Sequence, residues 1–192
     1  MALSLPIDPA ATALLRSSPL ALLLGMLLDQ QIPMEKAFSS PYVLTQRLGR
    51  DLDAREIATF DPESLEAIFA KPPALHRFPR ANAKRAQEMC QILVEKYDGD
   101  ASRLWTEASN GADLVARVGQ LPGFGKQKSQ IFAALLAKQF DIQPPGWREA
   151  TGVYGEEGSH RSVADITDEG SLAKVREFKQ AMKAAAKTEA DV

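Results

Sequence analysis

Leu121-Pro122-Gly123-Phe124-Gly125-Lys126-Gln127-Lys128-Ser129 is the stretch whose reading decides the fold. Before it, Ala112 to Gly119 carries apolar residues at helical spacing, and after it Ile131, Phe132, Leu135 and Leu136 resume that spacing at once. No helix runs through Pro122, and Gly123 and Gly125 admit backbone conformations closed to other residues. The pattern therefore predicts two helices joined by a tight hairpin. Unpaired amide N–H groups at the start of the second helix form an anion site, with Lys126 and Lys128 beside it. The plainer alternative is a glycine-terminated helix followed by another.

Working outward, 192 residues with 45% hydrophobic and 25% charged content describe a globular chain able to bury one core. The expected organisation is a single domain over 1–192. Cys90 stands alone, which excludes a disulfide framework within the chain. The apolar run Pro19 to Leu28 is too short to span a bilayer and ends in Asp29-Gln30-Gln31, without the features of a signal peptide. The expected setting is cytoplasmic and nucleoid-associated, with no membrane partner. Neither His76 with His160 nor the Gly152–Gly158 segment has a metal-ligand or phosphate-loop spacing.

The net charge of −2 is unevenly distributed. Ala67–Gln87 holds Lys71, Arg77, Arg80, Lys84 and Arg85 with no acid, and Leu114–Phe140 holds Arg117, Lys126, Lys128 and Lys138 with no acid. Those windows carry nine positive charges, so the remainder carries −11. Such segregation suits an electropositive face for DNA on an otherwise acidic protein, because affinity follows the local field.

Helices are expected over Asp8–Ser17, Leu20–Leu28 (buried on every side) and Glu35–Leu48 (interrupted or bent at Pro41). Others follow from Asp61 to Phe69, from near Asn82 to Lys96, over Asp100–Glu107 and Gly111–Val118, and from the hairpin to Phe140. A Pro/Gly-rich loop is expected over about 142–163, then an amphipathic helix over Asp168–Lys187. No strand longer than a few residues is visible, so the class is all-α.

The L-P-G-hydrophobic-G hairpin resembles the helix-hairpin-helix of the HhH-GPD superfamily of base-excision DNA glycosylases. Leu27-Leu28-Asp29-Gln30-Gln31-Ile32-Pro33 is similar to the ILxQQ(I/V)S segment of its alkyladenine-type members. The resemblance runs in order from about Leu20 to Phe140. It implies a compact helical fold, double-stranded DNA with a damaged or mismatched base as partner, and a monomer. It also implies a monofunctional glycosylase that flips and excises the base. No iron–sulfur cluster is expected with one cysteine, and no cofactor beyond a structural monovalent cation at the hairpin.

The DNA contacts implied are Leu121, Gly123, Gly125, Lys126, Gln127 and Lys128 at the hairpin. Gln30 would fill the gap left by the flipped base, with Gln31 adjacent to it at the DNA. Arg77, Phe78, Arg80 and Lys84 belong to the loop that supplies a wedge, with Phe78 or Leu75 as the wedge itself. Two departures matter. The family's Schiff-base lysine position is occupied by Gln127, which argues against a lysine-type lyase. The family aspartate would fall within Pro145 to Trp147, where there is no acid. Asp165, in Val163-Ala164-Asp165-Ile166-Thr167, ranks first as the catalytic carboxylate if the loop is an insertion, ahead of Glu149 and then Asp141. Asp165 reads equally well as a helix-entry cap. A non-catalytic protein that binds distorted DNA is the second reading, and an all-α protein interaction domain the third.

Overall fold

The computed structural model describes residues 4–190, and every regular element among them is helical. The ends of the 1–192 span lie outside the described residues. In order the helices are α1 (Pro9–Ser17), α2 (Pro19–Leu28), α3 (Met34–Leu48), α4 (Ala54–Thr59), α5 (Pro62–Ala70) and α6 (Pro79–Tyr97). The second half holds α7 (Arg103–Thr106), α8 (Gly111–Gly119), α9 (Lys126–Gln139), α10 (Trp147–Thr151) and α11 (Glu169–Ala190). The all-α class read from the sequence is the class observed.

The helix starts follow ordinary capping chemistry. Asp8, Ser18, Asp53, Asp61 and Asn110 each accept a backbone N–H of the first turn they precede. Proline occupies the opening turn of α1, α2, α5 and α6, where a missing N–H costs no helical bond. Ser18 and Pro19 thus divide what would otherwise be one apolar helix into two.

Helix α2 is the axis of the core. Every residue from Leu20 to Leu28 is buried, and Gly25 lets α3 approach so closely that a Cβ there would lie 2.7 Å from Cδ1 of Phe38. Around it pack α1 and α3, while α4 and α5 lie against the long α6. In the second half α8 and α9 form a hairpin, flanked by α10 and by a 3-10 turn at Val163–Asp165. Phe132, Leu135 and Leu136 of α9 join the same apolar core as Leu22, Leu24 and Phe38. Among the described residues no single helix is long and apolar enough to cross a membrane. Helices α1 and α2 reach that length only together and are bent by 115°.

Four expectations are corrected. Helix α3 runs unbroken through Pro41. Helix α4 was not anticipated, although Asp53 with Glu56 three residues on is a recognisable helix-start pair. Helix α11 extends beyond Lys187 to Ala190. The 142–163 segment is not an open loop. Gly146 turns the chain at φ 72°, Trp147 is buried, and α10 is followed by 3-10 turns at Gly152–Tyr154 and Val163–Asp165.

The start of α8 holds that segment down. The Gly111 amide donates to the carbonyl of Pro145 at 2.8 Å, and a Cβ on Gly111 would stand 2.4 Å from Cα of Trp147. Gly111→Ala must push two backbones apart. It should cost about 1–3 kcal/mol, read as a lower urea midpoint with an unchanged slope.

Candidate nucleic-acid interface

The turn between α8 and α9 is built around Gly123. Its φ of 81° is left-handed, and a Cβ would lie 2.6 Å from Cδ1 of Leu27 and 3.6 Å from Cδ of Arg85. Conformation and space both require glycine here. Leu121 and Phe124 are buried and plug the turn into the core, with Phe124 edge-on to Phe132 at 6.0 Å. Leu121 is therefore an anchor beneath the turn, and its side chain is not a surface for DNA. The amides of Gly123, Gly125, Lys126 and Gln127 have no partner among the described residues, and they sit at the positive end of α9.

Lys126, Gln127 and Lys128 point in different directions, as helical rotation of about 100° per residue requires. Lys126 is exposed and carries no ion pair among the described residues. Gln127 donates to the hydroxyl of Tyr154 at 2.8 Å. Lys128 turns inward, where its Nζ donates to the carbonyl of Leu27 at 3.0 Å and lies 5.9 Å from the centre of the Phe124 ring. Its expected role as an outward cation is corrected: it caps the C-terminal end of α2 from the side.

That cap stands next to a carboxyl the sequence reading passed over. Asp29 follows the last residue of α2, and its side chain is 11% exposed. Among the described residues its carboxylate accepts no hydrogen bond, and its ion-pair partner is Lys179 of α11 at 3.9 Å. Burial pushes the Asp29 carboxyl above its ordinary value, with Glu35 adding to the effect and Lys179 and Lys128 opposing it. Burial likewise pushes Lys128 down, to about 8, with Arg85 and Lys179 acting in the same direction and Asp29 against it. A buried carboxylate at the negative end of a helix is disfavoured twice over. Neither the core nor a cap explains it.

Beyond Asp29 the chain enters the exposed Gln30-Gln31 turn, with Gln31 at a φ of 60°. The turn is held by His76. The Nε2–H of His76 donates to the carbonyl of Gln30 at 2.8 Å. Nδ1 accepts from the Phe78 amide at 3.0 Å and from Nδ2 of Asn82 at 2.8 Å. These partners fix a neutral ring in one tautomer. Behind His76 the loop is tied to α3, where Ser40 donates to the carbonyl of Leu75 at 3.0 Å and Arg47 to those of Ile68 and Pro73.

Leu75 is buried and fills the space under the loop, which removes it as a wedge. Phe78 is 48% exposed, with the Arg77 guanidinium 4.7 Å from its ring centre. Gln30, Gln31, His76, Phe78, Ala81 and Arg85 line one cleft of about 190 Å³. Arg85 also borders Gly123, so the hairpin turn adjoins the cleft that the other two segments line.

The basic windows are only partly available at this surface. Arg80 pairs with Glu66 at 2.8 Å and Lys84 with Glu88 at 3.8 Å. Arg117 pairs with Asp113 and Glu107, and Lys138 with Asp165. Arg77, Arg85 and Lys126 carry no ion pair among the described residues.

The carboxylates ranked from the sequence lie elsewhere. Asp165 is buried, accepts the amides of Arg161 and Ser162 at 2.8 and 3.1 Å, and is bridged by Lys138 at 2.6 Å. It is the capping carboxylate of a 3-10 turn, tied near the far end of α9 and about 18 Å from Lys126 along that helix. Its expected catalytic role is corrected on those grounds. Glu149 is exposed on α10. That helix packs along the flank of α9 where Gln130 donates to the carbonyl of Ala150, away from the Lys128 flank. Asp141 is exposed just past the end of α9, with a φ of 59°.

Comparison of the chain with protein-family models, with curated proteins and with solved structures gave no match.

His76 makes the joint between the two loops sensitive to pH. Burial holds its pKa below the ordinary 6.5, and the nearby cations Lys36, Lys128 and Arg85 act in the same direction, against the bond to Gln30. The unfolded chain therefore takes up the proton first as pH falls. The His76 contribution to stability is complete above about 6.5 and is lost progressively below it. Urea unfolding at pH 7.5 and 5.5 should show this loss in the wild type and a smaller one in His76→Gln.

Proposed function

We propose that the protein binds duplex DNA at a damaged or mismatched base and excises that base as a monofunctional glycosylase. The observation that carries this reading is a cleft lined by the Gln30-Gln31 turn and Phe78, with the Gly123 turn beside it across Arg85. Opening a base pair costs a few kcal/mol, so the duplex must be gripped beside the lesion while something fills the vacated space. Free hairpin amides with Lys126 suit the first task. Phe78 is the wedge, and Gln30 with Gln31 are the gap-filling side chains.

The carboxylate of the reaction is Asp29. In the hydrolysis the C1′–N bond breaks, its electron pair leaves with the base, and the hydroxyl of a water adds at C1′. A carboxylate accepts that water's proton and opposes the positive charge developing on the sugar. A carboxyl with a raised pKa is the stronger base, and burial supplies that shift to Asp29. Gln127 at the Schiff-base position supports hydrolysis without strand cleavage by a lysine.

The test is base release from duplexes carrying uracil, alkylated, deaminated, oxidised or mismatched bases, with binding to a tetrahydrofuran abasic duplex measured in parallel. Asp29→Asn should lower release by roughly 10²–10⁴-fold while retaining binding, and Glu149→Gln should change neither. Tight binding with no release across the panel would favour the non-catalytic reading. Absence of salt-dependent binding, with Lys126→Glu indistinguishable from wild type, would remove both.

A further inference from the structure

Helix α11 leaves the body of the protein beside this cleft. Its first turns are packed, with Ser171, Leu172 and Val175 buried and Arg176 paired with Glu35. Lys179 then reaches Asp29. Past that contact every residue from Gln180 to Ala186 is exposed. The helix nevertheless continues to Ala190, about 16 Å beyond Lys179 at the helical rise. Burial does not account for a helix that continues past Lys179 through a stretch as exposed as Gln180–Ala186.

The pattern on this overhang is not random. At about 100° per residue, Leu172, Arg176, Lys179 and Lys183 fall on one narrow stripe, and the sequence repeats the spacing at Lys187. The face that packs at Leu172 thus becomes basic where the body ends, and it is turned toward the side on which Asp29 and the cleft lie. Lys183 has no ion pair among the described residues. On the helix surface Gln180 and Ala186 border it, Met182 and Ala184 lie further to either side, and Ala181 and Ala185 fall on the opposite face. Lys174, also exposed, points to the opposite face.

We propose that the projecting half of α11 is an arm of the DNA interface, lying along the phosphate backbone to one side of the opened base pair. The inference rests on the proposed function and extends it to the length and asymmetry of the site. Its support is the charge of the stripe and its continuity with the cleft through Lys179. An arm of about 16 Å follows roughly five nucleotides at the strand spacing of 3.4 Å.

The experiment uses the full chain and a duplex of about 25 base pairs with a central tetrahydrofuran residue, together with two versions shortened by about five base pairs on one side or the other. Lys183→Glu and Lys174→Glu change the net charge equally on opposite faces of α11. Lys183→Glu should weaken binding to the long duplex roughly three- to tenfold and reduce the slope against log salt by about one. One shortened duplex should abolish the difference between Lys183→Glu and wild type, while the other preserves it. Lys174→Glu should bind like wild type throughout. Equal effects of the two substitutions, or a Lys183→Glu effect on both shortened duplexes, would overturn the arm. So would a dimer in sedimentation that Lys183→Glu dissolves, because the stripe would then face a second copy. If Lys126→Glu also binds like wild type, the interface itself fails; sensitivity at Lys126 with none specific to Lys183 fails the arm alone.

Discussion

The bond from Lys128 to the carbonyl of Leu27 joins the two halves of this protein at the place where function is proposed. It crosses from the first turn of α9 to the last turn of α2, more than a hundred residues apart in sequence. Around it the chain accepts unfavourable electrostatics: an amine driven down to about 8 and a carboxyl driven up, both by burial. Glycine at 123 allows the contact, since any side chain there would meet Leu27. A hairpin held this way keeps its free amides in fixed register with the Gln30-Gln31 turn, so a ligand need not order them on arrival.

The second joint is His76. A single neutral ring ties the Gln30 carbonyl to the Phe78 amide, while Arg47 and Ser40 hold the loop behind it. The exposed residues of the cleft therefore stand on buried hydrogen bonds, and exposed Phe78 projects from a rigid base. Preorganisation of this kind suits an interface that must distort its partner, because the distortion energy is then not dissipated in the protein's own loops.

How much of this was legible in the sequence follows from the range of the interactions. Helix starts and the α8–α9 turn rest on contacts a few residues apart, so Asp8, Asp61, Pro122 and Gly123 announced them. The Gln30-Gln31, Phe78 and hairpin segments were recognisable one by one. Their meeting depends on His76 and Lys128, whose partners are remote in sequence. Asp29 was passed over because its character comes from burial and from Lys179, which lies 150 residues away. Asp165 was overvalued for the converse reason. A carboxylate at a turn looks the same in sequence whether it faces a ligand or, as here, Lys138 and two amides. The 142–163 segment reads as a loop because its prolines and glycines say nothing of what fastens it, Trp147 against Gly111 and the bonds from Gln127 and Gln130 of α9.

The central claim is that three separated segments form one surface for DNA. Amide chemical-shift mapping on ¹⁵N-labelled protein, titrated with a tetrahydrofuran duplex, tests it most directly. The account predicts that Gln30, Gln31, Phe78, Gly123, Gly125 and Lys126 shift together and with the same midpoint. Shifts confined to residues outside these three segments, or a hairpin that stays silent while the duplex binds elsewhere, would contradict it.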